Sequence, residues 1–144
     1  MVMNAEQIDQ FLAESFPQAR GWTRITAIRL GAERGMDELD LLLPFKEENL
    51  RPGGTVSGPA LMALADSAMY YLLLAKLGPV ALAVTTSLNI NFLRRPPAAD
   101  VIATARLLKL GAKLAVGDVH MRTTLQGGAL VAQASVTYAL PPKT

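Results

Sequence analysis

The longest apolar run of the chain lies between two glycine–proline pairs, Gly58-Pro59 and Gly78-Pro79. Proline suits the first positions of a helix, where its missing N–H leaves no bond unmade, and glycine commonly follows the last helical residue. Nearly all the residues between the pairs are Ala, Leu, Met or Tyr, which favour helix. The pattern predicts a central helix over 59–77, apolar on every side, that other structure must wrap.

Alternating apolar and polar positions flank this helix and predict strands. Residues 21–44 hold two such stretches joined near Gly31 and Gly35, which indicates a hairpin. After the helix, residues 79–96 alternate with Leu88, Ile90 and Phe92 on one face. Three further stretches, joined by tight turns at 111–113 and 126–128, predict an antiparallel meander. Residues 45–58, rich in Gly and Pro, are expected to be a loop.

The N-terminal segment, residues 1–20, carries Ile8, Phe11 and Leu12 at helical spacing and predicts a short helix that ends before Pro17. The full order is then short helix, two strands, long buried helix and four strands. This order predicts an α+β fold in which a curved antiparallel sheet of five to six strands wraps the central helix. With 144 residues and no repeat or linker, residues 1–144 are expected to form a single domain.

Composition mainly excludes functions. The net charge is +2 and the basic residues are scattered, so no nucleic-acid partner is expected. The chain has no cysteine and one histidine, His120, so we expect no metal site and no thiolate nucleophile. The N-terminus lacks an apolar signal core, which favours a cytoplasmic location. A central Asp66 would cost about 2.5–3.5 kcal/mol in a membrane span, so the apolar helix is predicted to be a soluble core helix.

Asp66 is the residue that this pattern does not explain. On a helix it shares a face with Met62 and Tyr70, and no Lys or Arg lies three or four residues away. A carboxylate buried without donors is very costly, so Asp66 must find partners or titrate. Two interpretations stay open: an ion pair with a distant arginine, such as Arg94 or Arg106, or a role as general base or nucleophile.

The start of the helix offers a second candidate group. The Gly58 N–H lies at the positive end of the helix dipole and can donate to a carbonyl oxygen, although a plain helix start stays the alternative. Eight residues separate Gly58 from Asp66, about 12 Å along a helix axis. One carbonyl therefore cannot lie against both groups of one chain. If both act, Asp66 must come from a second copy in a two-fold dimer with two composite sites.

Three segments, GTVSGPALMALADSAM, TTSLNINFLRRP and the meander RLLKLGAKLAVGDVHMRTTLQGGALVAQASVTYALP, are similar to the hot-dog fold acyl-CoA thioesterases of the phenylacetate-degradation type. The resemblance covers roughly residues 36–141. It implies a long helix in a wrapped antiparallel sheet, with two subunits paired edge to edge. It also implies Asp66 as general base or nucleophile, Gly58 as donor to the thioester carbonyl, and Thr85 as a hydroxyl that helps hold the attacking water.

The sequence departs from the family pattern ahead of the helix. Ser57-Gly58-Pro59 stands where the family usually has His-Gly-Gly, so an imidazole is replaced by a hydroxyl. Arg51 stands where the family often has Asn, and Asn49 lies two residues earlier. Other candidate contacts are to the acyl group (Pro59, Met62 and Tyr70) and to the phosphates of coenzyme A (Arg94, Arg95, Lys109 and Lys113).

We therefore expect hydrolysis of an acyl-CoA thioester to free acid and coenzyme A, at a site composed of two subunits. The expected assembly is a homodimer, with dimers pairing into a homotetramer. Coenzyme A enters as part of the substrate, and no other cofactor is expected. Two alternatives stay open: a non-catalytic acyl or acyl-CoA binding protein of the same fold, and a hydroxyacyl-thioester dehydratase, in which Ser57 would replace a needed His.

Overall fold

The computed structural model describes residues 2–19, 21–31, 36–51 and 54–142, with the side chain of Arg51 outside the description. These residues contain two α-helices, α1 (Ala5–Ser15) and α2 (Gly58–Leu77). They also contain six long strands and two strands of two residues each: β1 (Arg24–Arg29), β2 (Glu38–Leu43), β3 (Leu50–Arg51), β4 (Thr55–Val56), β5 (Val84–Phe92), β6 (Val101–Leu110), β7 (Leu114–Thr123) and β8 (Leu130–Ala139).

The long strands form one antiparallel sheet in the order β1-β2-β6-β7-β8-β5. The hairpin β1–β2 and the meander β6–β7–β8 are the pairs that the alternation predicts. Strand β5 instead crosses over to pair with β8, which places it at the edge of the sheet. The predicted loop over 45–58 contains the small β3–β4 ladder. The sheet wraps one face around α2, so the predicted hot-dog fold is confirmed.

The start of α1 lies against the end of α2. α1 begins with a capping box, in which the Asn4 side chain accepts from the Gln7 N–H at 2.8 Å and the Gln7 side chain accepts from the Asn4 N–H at 2.9 Å. Just before it, the Val2 N–H donates to the Ala75 carbonyl near the end of α2 at 2.8 Å. Ile8 and Leu12 are buried, as their helical spacing predicts.

Helix α2 is the core helix of the fold, although its sequence also meets the criteria for a membrane span. Its most apolar window has a mean hydropathy of 1.4, and 61% of that window is buried inside the fold. The expectation that every side is wrapped is wrong for a single chain. A stripe at helical spacing stays exposed or half-buried, formed by Pro59, Met62, Ala63, Asp66, Ser67 and Tyr70. We call these six residues the open stripe of α2.

The outer face of the sheet, opposite α2, carries a network of paired charges. Arg29 binds Asp40 through two hydrogen bonds of 2.8 and 2.9 Å, and Arg106 binds Glu38 at 2.6 and 2.8 Å. The hydrogen bonds from Arg106 lower the pKa of Glu38. His120 lies 3.0 Å from Asp118. This network places Arg106 and His120 on the face of the sheet turned away from α2.

Gly117 of β7 packs directly against α2. A Cβ at Gly117 would overlap Met69 Sδ of α2 and would lie 3.2 Å from the backbone oxygen of Arg106. Because that oxygen belongs to the sheet ladder, it cannot move aside cheaply. Met69 is fully buried against this glycine.

We predict that Gly117→Ala lowers the free energy of unfolding by about 1–3 kcal/mol, because the methyl group overpacks the helix–sheet contact. Urea denaturation measures the change. The matched control is Gly31→Ala, where an added Cβ meets no atom of the described residues within 4 Å; we expect a change below about 0.5 kcal/mol there. Equal stability of the Gly117 variant and the wild type would contradict this account of the packing.

Candidate functional site

Asp66 is bound by two hydroxyl groups rather than by a cation. Its Oδ1 accepts a hydrogen bond from Thr85 Oγ1 at 2.6 Å and another from the Tyr138 hydroxyl at 2.7 Å. No ion pair between described residues includes Asp66. Arg106 binds Glu38 on the outer face, and Arg94 is exposed after β5. The structure therefore gives Asp66 hydrogen-bond donors but not the arginine partner that remained possible from the sequence.

A β-bulge directs Thr85 toward α2. The register between β5 and β8 shifts between Thr85 and Ser87, so Thr86 is the extra residue. Strict alternation backward from Ser87 would put Thr85 on the outer face of the sheet. Because of the bulge, Thr85 instead pairs with Tyr138 and points to the helix side. The backbone irregularity thus brings together Thr85 and Asp66, two of the three predicted catalytic residues.

Tyr138 belongs to this site and was missed in the sequence. It ends a row of inward-facing residues on β8 that includes Ala132, Ala134 and Val136, all buried. Its ring stacks on Tyr70 with centroids 5.9 Å apart and an interplanar angle of 11°. Burial, with the nearby Asp66 charge, raises the pKa of the Tyr138 hydroxyl, which therefore stays a proton donor at neutral pH. The sequence feature that could have identified it is a tyrosine among the inward-facing residues of a strand, in a chain whose apolar helix carries a single acid.

The start of α2 holds the third predicted catalytic residue, Gly58. Ser57 caps the helix: its side chain accepts from the Ala60 N–H at 3.2 Å, and its own N–H donates to the Asn49 carbonyl at 2.7 Å. Gly58 is the first helical residue, so its N–H has no partner within the helix. A Cβ at Gly58 would lie 3.3 Å from the Phe92 ring at the end of β5. The glycine thus leaves a small space between the helix start and the edge strand.

The remaining predicted contacts lie around this helix start. The Asn49 side-chain amide nitrogen is buried and has no hydrogen-bond partner among the described residues. Pro59 and Met62 are exposed on the open stripe, and Met62 keeps 42% of its surface exposed. The side chain of Arg51 lies outside the described residues. Four cations proposed for coenzyme A are exposed: Arg94, Arg95, Lys109 and Lys113.

The cavities that border α1 include one that contains Asp66 and a larger one that does not. The first, of about 480 Å³, is lined by Asp66, Thr85, Tyr70 and Tyr138 and is bounded on the α1 side by Phe11 and Phe16. The larger, of about 700 Å³, lies between α1 and β1. It contains the carboxylates of Glu6, Asp9 and Asp100. We take the smaller cavity as the candidate site because its polar groups converge on one carboxylate oxygen.

Residues 53–129 of the chain match the sequence profile of the family described as the thioesterase superfamily. The chain belongs to this superfamily. The matched segment includes Gly58, Asp66 and Thr85 but ends before Tyr138. The family supports thioester hydrolysis in general and leaves the acyl group, its carrier and the assembly open.

Solved structures of thioesterases share this fold over nearly the whole chain. A provisionally named thioesterase from Silicibacter sp. TM1040 is 43% identical, with a TM-score of 0.86, over 99% of this chain and 94% of that one. A thioesterase from Haemophilus influenzae is 22% identical, with a TM-score of 0.79 and coverages of 99% and 93%. The E. coli PaaI protein of the phenylacetic acid degradation operon is 23% identical, with a TM-score of 0.73 and coverages of 94% and 96%. No curated protein sequence matches the chain.

We predict that Ser57→Ala lowers the free energy of unfolding by about 1 kcal/mol, because the helix loses its N-cap acceptor. Thermal or urea denaturation measures the loss. Ser57→Asp is the matched control, since Asp supplies an equivalent acceptor at this position and should restore most of the stability. If the alanine variant is as stable as the wild type, the hydroxyl does not act as the cap.

Proposed function

We propose that this protein hydrolyses an acyl-CoA thioester to a free acid and coenzyme A, at sites shared between the two chains of a homodimer. Membership of the thioesterase superfamily supports the hydrolysis. The observation that carries the two-chain site is the contact of Gly58 and Asp66 with opposite ends of one strand, β5. A single chain therefore holds the two groups far apart, while a pair of chains can join them.

Strand β5 has the properties of a pairing edge. It pairs with β8 on one side, and no described strand lies on its other side. Its sequence VTTSLNINF contains no charge and no proline, two of the usual protections of an exposed edge. Val84 and Phe92 are 56% and 53% exposed, and Leu93, just beyond the strand, is 55% exposed. We propose that a second copy of the chain covers this edge and the adjoining open stripe of α2.

Two-fold symmetry then assembles the site. When two β5 strands pair antiparallel about an axis near Leu88, the Phe92 end of one lies opposite the Thr85 end of the other. Phe92 contacts Gly58, and Thr85 binds Asp66. The Gly58 N–H of one chain thus comes beside the Asp66 carboxylate of its partner. The separation of about 12 Å within one helix then no longer prevents joint action.

The chemistry follows from these two groups. The thioester carbonyl oxygen accepts the Gly58 N–H, and such a donor stabilises the developing oxyanion by roughly 2.7–4 kcal/mol. In one route the partner's Asp66 takes a proton from a water molecule, and this water adds to the carbonyl carbon. In the other route the Asp66 carboxylate itself adds to that carbon, and water then hydrolyses the acyl–aspartate bond. In either route the C–S bond breaks and the thiol of coenzyme A leaves. The buried amide of Asn49, just ahead of the helix, is a candidate second donor.

Coenzyme A is proposed to lie at the Gly58 end of the site. Arg94 and Arg95 follow β5 directly after Phe92 and Leu93 and are exposed there. Guanidinium groups suit phosphate oxygens because they donate paired hydrogen bonds. Membership of the phenylacetate-degradation type of thioesterase, a cytoplasmic location and pairing of dimers into tetramers stay predictions.

Different observations bear on the two alternative functions, a binding protein and a dehydratase. One observation favours a non-catalytic acyl-CoA binding protein. Residue 57 is a serine rather than a histidine, and its hydroxyl serves as the helix cap. A dehydratase would need a histidine beside the helix acid. The one histidine, His120, instead pairs with Asp118 on the outer face of the sheet.

We predict that the purified protein releases thiol from members of a panel of acyl-CoA esters, and that Asp66→Asn lowers kcat by about 10²–10⁴-fold, the usual contribution of a general base. Asp118→Asn is the matched control, because it removes a carboxylate of the outer face and should leave kcat unchanged. Equal rates for Asp66→Asn and wild type would contradict the role of Asp66. Binding of the esters without turnover at any chain length would support the binding protein instead.

A further inference from the structure

We infer that Tyr138 is a positioning residue for the catalytic carboxylate: it holds Asp66 by Oδ1 and leaves Oδ2 as the oxygen that reacts. The inference rests on the proposed function, because it concerns how Asp66 acts on the thioester. Tyr138 lies 72 residues from Asp66 in the chain and outside the segment that matches the family.

The two hydrogen bonds to Asp66 are unequally distributed over its oxygens. Thr85 and Tyr138 both donate to Oδ1, at 2.6 and 2.7 Å, and no described side chain donates to Oδ2. Short O–H···O⁻ bonds of this kind are among the stronger hydrogen bonds in proteins. Two donors from different strands fix the rotation of the carboxylate about its Cβ–Cγ bond. Oδ2 therefore keeps its lone pairs for a water proton or for the carbonyl carbon.

Tyr138 is the more rigidly held of the two donors. Tyr138 is 4% exposed, and its ring stacks on Tyr70. Its hydroxyl also lies 3.2 Å from the Asp66 backbone oxygen. Thr85 lies on the exposed edge strand and donates its single hydroxyl proton to Asp66. Thr85 can therefore meet the attacking water only as an acceptor. Orientation of the carboxylate depends mainly on the tyrosine, and orientation affects the chemical step more than substrate binding.

The test is Tyr138→Phe, which removes the hydroxyl and keeps the ring. We expect kcat to fall about tenfold or more with KM changed less than about twofold, since the hydrogen bond acts on the reacting group. In an Asp66→Asn background, Tyr138→Phe should cause no further loss.

Tyr71→Phe is the matched control. Tyr71 is also buried, and no hydrogen bond between described residues joins its hydroxyl to the Asp66 carboxylate. Its loss should leave kcat unchanged even where the melting temperature falls. If Tyr138→Phe shows the same pattern, or if its effect adds in full to that of Asp66→Asn, the positioning role is overturned.

A second measurement separates this inference from the proposed function. Crystal structures of the variants show the Asp66 carboxylate without any substrate. We expect the carboxylate to turn about its Cβ–Cγ bond in Tyr138→Phe and not in Tyr71→Phe. An unmoved carboxylate overturns the positioning role, whereas a turned carboxylate in a protein that hydrolyses no acyl-CoA supports the role and contradicts only the hydrolysis.

Discussion

The burial of α2 against the sheet is the interaction on which the structure depends. The helix is too apolar to face water, and the sheet together with the N-terminal segment buries eleven of its residues. One chain has too few strands to enclose the helix, so the open stripe stays uncovered beside the edge strand β5. The uncovered surface is therefore a direct consequence of how one helix and six strands share a core.

That open stripe carries Asp66, the one acidic residue of α2. A carboxylate among apolar neighbours must be hydrogen-bonded, and the donors come from β5 and β8, the two strands that border the stripe. The same edge that leaves the helix uncovered thus holds Asp66 in place. Gly58, whose N–H has no partner within the helix, borders the other end of β5. A single edge strand relates both candidate catalytic groups.

The sequence predicts the elements of this fold better than it predicts the site. The glycine–proline pairs define α2, and alternation defines the long strands, because both signals are local. The bulge at Thr86 and the pairing of β5 with β8 are not local, so alternation alone would place Thr85 on the wrong face. Tyr138 was missed for the same reason: its partner Asp66 is distant in the chain, and a tyrosine in an inward row resembles any core residue.

The most direct test of a shared site is complementation between two inactive chains, Asp66→Asn and Gly58→Pro. Ser57 already has the extended backbone that precedes proline, φ −70° and ψ 151°, so Gly58→Pro removes the N–H donor. Gly58→Ala is the matched control, because it adds the same Cβ beside Phe92 and keeps the N–H. In an equal, refolded mixture, half of the dimers are mixed and each has one intact site. The account predicts recovery of about a quarter of the wild-type acyl-CoA hydrolysis. A mixture as inactive as either variant alone would contradict it.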